Sequence, residues 1–322
     1  MKIPDYSRKF KDKNKAATLT TGQKNFLRRQ KLQKLYIFWS RILLFVVFIM
    51  LWQVSSDLGW IDRFYFSSPI AIAQLFWYDI KDMSLLNHIG ITLLESGISF
   101  LLIIILSMLM ATFFWFYPSL GKLFEPFLIV LNSLPKSALA PLIIVWLGTG
   151  PRTIILCGIS VGIFGCILNL YQSFAQTDPE RLKLIETLGG TKLQAFTKVV
   201  FPGNIPTFIS LSKVNIGLAL VGVIIGEFLA GRRGLGYLII YGSQVFKLDM
   251  VILSIVILCI IAMGIYGLLN LLEKKMELET IILIWLKMVR QKHIPILHMV
   301  MHLMLFSIIV NGNILSRTIK EM

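Results

Sequence analysis

FAQTDPERLKLIETLGGTKLQAFTKVVFP, residues 174–202, is a charged segment set between two long apolar stretches. Its order of residues predicts a helix, an elbow and a second helix. Asp178 is suited to cap a helix start, Pro179 to occupy its first position, and Glu180 to favour its positive end. Leu182, Leu184, Ile185 and Leu188 recur at helical spacing. Gly189 and Gly190 supply a stop, because glycine tolerates the left-handed backbone that ends many helices. Thr191 can cap the next helix, with Leu193, Phe196 and Val199/Val200 on one face and Pro202 as its end; Pro206 marks the way into the next apolar run. The expected product is a short helix across a water-facing end, with an apolar ridge and cationic flanks at Arg181, Lys183 and Lys192. A ridge of this kind fits a partner's groove. The alternative is a surface helix packed on the protein's own loops.

The rest of the chain belongs in a bilayer. Apolar residues make up 56% of its 322 residues and the mean hydropathy is +0.75, above the range of soluble domains. Runs long enough to cross about 30 Å of hydrocarbon as helices fall at about 36–54, 89–116, 126–148, 153–172, 206–230 and 250–272. The expectation is an all-α membrane protein of about six spans. The first 35 residues are too long and too charged for a signal-peptide start, so the first span is expected to be a retained anchor. The net charge of +15 is not spread as a nucleic-acid binder would spread it. Lys and Arg crowd residues 1–35 and recur at Lys122, in 174–202, and at Lys274 and Lys275, which is the positive-inside pattern. That places the N-terminus, 117–123, 174–202 and 273 onward in the cytoplasm, and 55–88, 149–152 and 231–249 outside. The basic N-terminus suits an anionic lipid surface. Cys157, Cys166 and Cys259 sit in apolar runs without metal spacing and read as buried thiols.

Three further segments carry signals. In 61–87, Ser67 or Ser68 can cap a helix that starts at Pro69, wet on one side and apolar on the other, in the manner of an interfacial helix. The third span, FEPFLIVLNSLPKSALAPLIIVWLGTGP, is interrupted by Pro135 and Pro141 and carries Asn132, Ser133 and Lys136 at membrane depth. Broken helices survive there when they face protein or a wet cavity, so Asn132 and Lys136 are candidate path residues; the competing reading is a kinked packing helix with a snorkelling lysine. The fifth span holds Lys213 and Asn215 near its inner half and Glu227 near its outer end. Asn215 and Glu227 join the path candidates, against the plainer readings of interhelical glue for Asn215 and pairing with Arg232 or Arg233 for Glu227.

Taken together the motifs resemble a known family. Gly189, nine residues, then Val199-Val200-Phe201-Pro202 keeps the spacing of the EAA motif, E-A-A-x3-G-x9-I-x-L-P, of permeases in binding-protein-dependent ABC importers. Lys183, Leu184 and Ile185 stand where the acid and the two alanines would be, which leaves open the ionic contacts of the loop. LNSLPKSALAPLIIVWLGTGP, GEFLAGRRGLGYLI and the SSP at 67–69 look like the nitrate/sulfonate/taurine/bicarbonate-type branch. The resemblance covers roughly 36–275, between a basic arm at 1–35 and a divergent tail at 276–322. It implies a type I importer permease fold in a prokaryotic plasma membrane, with a coupling helix between spans four and five. Glu180, Lys183, Leu184, Ile185, Leu188, Gly189 and Gly190 would then dock a cytoplasmic ATPase. It further implies a second copy of this chain, two ATPase subunits and an extracytoplasmic binding protein that delivers a small solute. The tail's run IPILHMVMHLMLFSIIV is just long enough for a seventh span, and His298 and His302 lie one helical turn apart without an acidic or cysteine partner nearby, so no metal site is expected.

Function follows from what is present and what is missing. There is no GxxxxGK[ST] phosphate loop, so ATP would be hydrolysed by a partner and no cofactor is expected on this chain. An autonomous membrane enzyme would need convergent acids, a Ser/His pair or metal ligands, and the chain has 4 histidines, three of them in the tail. A secondary carrier or channel is the remaining alternative, with Glu95 as its main coupling candidate; the charged elbow has no use there.

Overall fold

The computed structural model describes residues 21–290, and every regular element among them is helical. The order is α1 (Thr21–Asp57), α2 (Arg63–Phe66), α3 (Pro69–Lys81), α4 (Ser84–Phe116), α5 (Pro118–Ser133), α6 (Lys136–Leu147), α7 (Pro151–Ala175), α8 (Pro179–Thr187), α9 (Lys192–Ala195), α10 (Ile205–Ala230), α11 (Leu235–Gln244) and α12 (Leu248–Arg290). Five stretches are long and apolar enough to cross a bilayer: Leu35–Asp57, Ser84–Phe116, Pro151–Ala175, Ile205–Ala230 and Leu248–Leu271. The α5–α6 pair is bent by 96° and passes the same test as a unit, giving up to six. The basic arm up to residue 20 and the tail from 291, with His298 and His302, lie outside the described residues. α12 runs without a break through residue 275 to Arg290.

Helix starts follow local chemistry. Ser68 rather than Ser67 caps α3, its Oγ accepting from the Ala71 amide with Pro69 first in the helix. Ser67 instead takes a left-handed φ of 53°, and its carbonyl accepts from Ser56 Oγ.

The chain forms two compact units. One comprises residues up to 171 together with 217–259, and the relation of α4 to α7 organises it. Ser99 Oγ donates to the Ile155 carbonyl at 3.2 Å, Ser107 Oγ to the Ile163 carbonyl at 3.4 Å, and Phe114 meets Tyr171 edge to face. Rising numbers on one helix meet rising numbers on the other, so α4 and α7 run parallel. Two parallel spans need a return between them. α5 and α6 supply it: Gly121 lies against the Tyr171 ring, Asn132 against Gly165, and Ala140 and Ile143 cluster with Cys157, a descending order on α7. The bent pair therefore makes one crossing, and the spans among the described residues number six. α10 then runs antiparallel to α7, because Gly222 approaches Cys157 and Gly158 while Gly226 approaches Ile154. These two glycines, four apart, let the backbones close on each other as bulkier residues would not.

The second unit comprises 172–216 and the chain from 260 onward. Its core is the junction of the charged segment with the end of α7. Phe174 and Phe196 pack edge to face at 5.6 Å, and Val200 is fully buried. Asn204 ties the junction: it accepts from Ser173 Oγ at 2.5 Å and donates from Nδ2 to the Val200 carbonyl at 2.8 Å and to Thr177 Oγ1 at 3.3 Å.

Candidate functional site

The charged segment folds as helix, elbow and helix. Asp178 Oδ1 accepts from the Glu180 amide at 3.0 Å, with Pro179 first in α8. α8 closes on Leu188, Gly189 takes φ +75°, and the Gly190 amide returns to the Ile185 carbonyl at 2.8 Å. Thr191 and Gln194 form a reciprocal capping box, Oγ1 accepting from the Gln194 amide and Gln194 Oε1 from the Thr191 amide. The second half departs from expectation. Pro202 does not end it; a π-helical turn at Phe196–Val200 leads into Phe201–Gly203, and the break falls at Asn204. The wider turn rotates the faces apart, so Phe196 and Val200 are buried while Leu193 is 62% exposed. Leu184 and Leu188, one helical turn apart on α8, are 59% and 74% exposed. Glu180 and Lys183 are exposed beside them, whereas Leu182 and Ile185 are half-buried. Arg181 is held by Asp178 at 3.4 Å. Of the apolar positions expected along this segment, Leu184, Leu188 and Leu193 are the exposed ones.

At the break in the third span the structure brings Asn132 and Lys136 together. Lys136 Nζ donates to the carbonyls of Leu131 at 2.6 Å and Asn132 at 3.0 Å, and lies 5.5 Å from the Phe164 ring centre. Pro135 has no amide hydrogen, so the Leu131 carbonyl cannot receive its ordinary helical partner. The ammonium of the next residue fills that vacancy and complements the negative helix end. Asn132 itself is exposed, with Oδ1 towards Gly165.

Asn215, in the second unit, is buried; its Nδ2 donates to the Leu211 carbonyl at 2.8 Å and its Oδ1 lacks a protein partner. Lys213 Nζ donates to Asn270 Oδ1 at 2.8 Å.

Glu227 sits elsewhere, fully buried at the opposite end of the first unit from Phe114 and Tyr171. It pairs with neither Arg232 nor Arg233. Its Oε1 accepts from Thr92 Oγ1 at 2.7 Å and its Oε2 from the Gly236 amide at 2.6 Å. Thr92 Oγ1 in turn accepts from the Leu235 amide at 2.8 Å, and His88 Nδ1 from the Gly234 amide at 2.9 Å. Gly234 and Gly236 are required here, because a Cβ on either would meet the Glu227 side chain. His88 and Thr92 received no site role from the sequence. Their spacing of four, one helical turn, was the available signal, but its meaning depends on the distant 234–236 turn. On the neighbouring α3, burial and the Asp82 carboxylate push the Asp79 carboxyl above its ordinary value, against the lowering effect of His88 and Lys247.

Comparison with known proteins agrees with this architecture. A family described as binding-protein-dependent transport system inner membrane component matches residues 103–278. The formylaminopyrimidine transport permease ThiX of Halalkalibacterium halodurans is 27% identical over 195 residues, 61% of this chain and 77% of that protein. A Bacillus subtilis (strain 168) protein named for aliphatic sulfonates transport, the permease SsuC, is 24% identical over 261 residues, 81% of this chain and 95% of that protein. A chain of the methionine ABC transporter MetNI, in inward-facing conformations, superposes with a TM-score of 0.53 at 13% identity, covering 61% of this chain and 98% of that one.

Proposed function

Because this chain belongs to the family of binding-protein-dependent transport system inner membrane components, we propose that it is the permease subunit of an ATP-driven importer, using α8 and its elbow to dock a cytoplasmic ATPase. The observation that carries the docking role is the exposure of Leu184, Leu188 and Leu193, which we take as the ridge, on a segment with two side-chain caps and the Gly189 turn. Three leucines in water are costly by roughly 1.5–3 kcal/mol each relative to burial, and a docked groove removes that cost. Glu180, Lys183, Ile185 and Gly190 frame the ridge. Two copies of this chain would pair with two ATPase subunits, and an extracytoplasmic binding protein would deliver the solute. The charge distribution supports a cytoplasmic N-terminus in a prokaryotic plasma membrane. ATP is bound by the partner, and this chain carries no cofactor.

Asn132 and Lys136 in the first unit and, separately, Asn215 in the second are proposed to face water, since polar groups at membrane depth avoid lipid; Glu227 is bonded to Thr92 and Gly236. The solute is proposed to be a small nitrate-, sulfonate- or taurine-like molecule or a vitamin precursor, and of these the sulfonate is in keeping with the name of the relative SsuC. Co-expression with its candidate ABC ATPase, followed by purification in mild detergent, is expected to yield a complex with two copies of each chain. A stable monomer with full transport activity would refute the assembly.

A further inference from the structure

The contacts of Glu227, Thr92 and His88 converge on three consecutive amides, those of Gly234, Leu235 and Gly236. These are the first amides of α11, the donors that a helix leaves without internal partners. A helix ordinarily caps them from its own N-cap side chain, but the residue there is Gly234, which has none. The caps come from two other helices: His88 and Thr92 of α4, and Glu227 of α10. The start of α11 is therefore satisfied by protein side chains only while it lies against α4 and α10.

The two ends of α11 are hinged. Gly234 has φ +105° before it, and Phe246 has φ +55° after it. For a phenylalanine that conformation is strained. Beside the clamp, the Glu95 carboxyl hydrogen-bonds that of Glu227, and Ser96 Oγ is buried without a partner among the described residues. A permanent anchor has no use for an orphaned hydroxyl or for two carboxyls set against each other; an anchor that must open gains when water reaches them. Docked, the three amides are held by side chains; released, water can hold them. That is a two-state element of the hinged kind.

We propose that α11 is a strap, latched at its N-terminus by Glu227, Thr92 and His88, that unlatches and recloses during each transport cycle on the side from which solute arrives. The placement follows within the first unit, because the clamp lies at the end opposite Phe114, Gly121 and Tyr171, and Tyr171 is where the chain passes on toward the docking segment. The inference rests on the permease reading.

Spin labels at Leu86→Cys and Ser243→Cys test it. Both positions are exposed and outside the clamp, and Cys157, Cys166 and Cys259 are replaced by alanine. The distance distribution is measured in the complex with its ATPase subunits, without nucleotide and with ATP plus vanadate. A shifted or broadened distribution with nucleotide is expected. A complex that hydrolyses ATP while the distribution stays unchanged overturns the strap and leaves the permease reading intact. Failure of the assembled chains to hydrolyse ATP sinks both. A second arm uses Thr92→Cys with Leu235→Cys: oxidation is expected to suppress ATP turnover reversibly, and equal turnover in the cross-linked and reduced proteins also overturns the proposal.

Discussion

Gly189 shows how much one residue can state about a fold. Its φ of +75° closes α8, and no heavy atom beyond its chain neighbours lies within 4 Å of where a Cβ would sit. Substitution therefore tests conformation alone. Gly189→Val is expected to carry the left-handed penalty of about 1–2 kcal/mol and to lose ATPase coupling while inserting normally; Gly189→Asn, which tolerates that backbone better, should retain more. Uptake and ATP hydrolysis in membranes compare the two, and wild-type coupling in the valine variant would show that the turn is not needed. Lys136 makes a different case. Lys136→Met strips the Leu131 and Asn132 carbonyls of their ammonium partner, a loss of about 1–3 kcal/mol, and a lowered melting temperature in detergent is expected. An unchanged melting temperature would mean that water satisfies those carbonyls. Gly189 was legible in the sequence because a helix stop is local. The role of Lys136 was not, because it depends on how the chain bends at the proline.

Among the elements, the bent pair α5–α6 decides the topology. A bend of 96° could equally belong to a re-entrant loop, which would leave both of its ends on one side of the membrane. The parallel run of α4 and α7 excludes that, since the chain must return between them. Single cysteines at Ser119 and Thr149, both exposed, are accordingly expected to react with impermeant thiol reagents from opposite faces of sealed vesicles. Labelling of both from one face would reduce the spans to five and move the docking segment across the membrane. The sequence showed the two prolines and the polar residues between them; it could not show whether the pair crosses, because that is set by Tyr171, Gly165 and Cys157 on another helix.

For the molecule as a whole, the last helix runs further along than the motifs suggest. The resemblance stops near Lys275, yet α12 continues to Arg290 without a break. Truncation after Arg290 is expected to leave insertion, ATPase docking and uptake intact. A protease-cleavable tag at Met322 in the full chain, assayed in intact cells, reports whether the run at 294–310 crosses the membrane, with cleavage only if the end is external. Loss of uptake on truncation would make the tail a working part of the transporter.

By itself the sequence determined the unbroken spans, the positive-inside charge balance, the caps at Asp178 and Thr191, a cap at Ser67 or Ser68, and the glycine elbow, because hydropathy, capping and left-handed turns depend on residues within a few positions of one another. The tertiary structure alone decided three things. It sent the chain helically past Pro202, since packing of Phe196 on Phe174 and burial of Val200 outweigh the proline's lost donor. It made the bent third span a single crossing. And it brought His88, Thr92 and Glu227 to the amides of residues 234–236, a polar cluster whose bonded partners lie up to 146 positions apart and whose burial is tolerable only because each group finds a partner there.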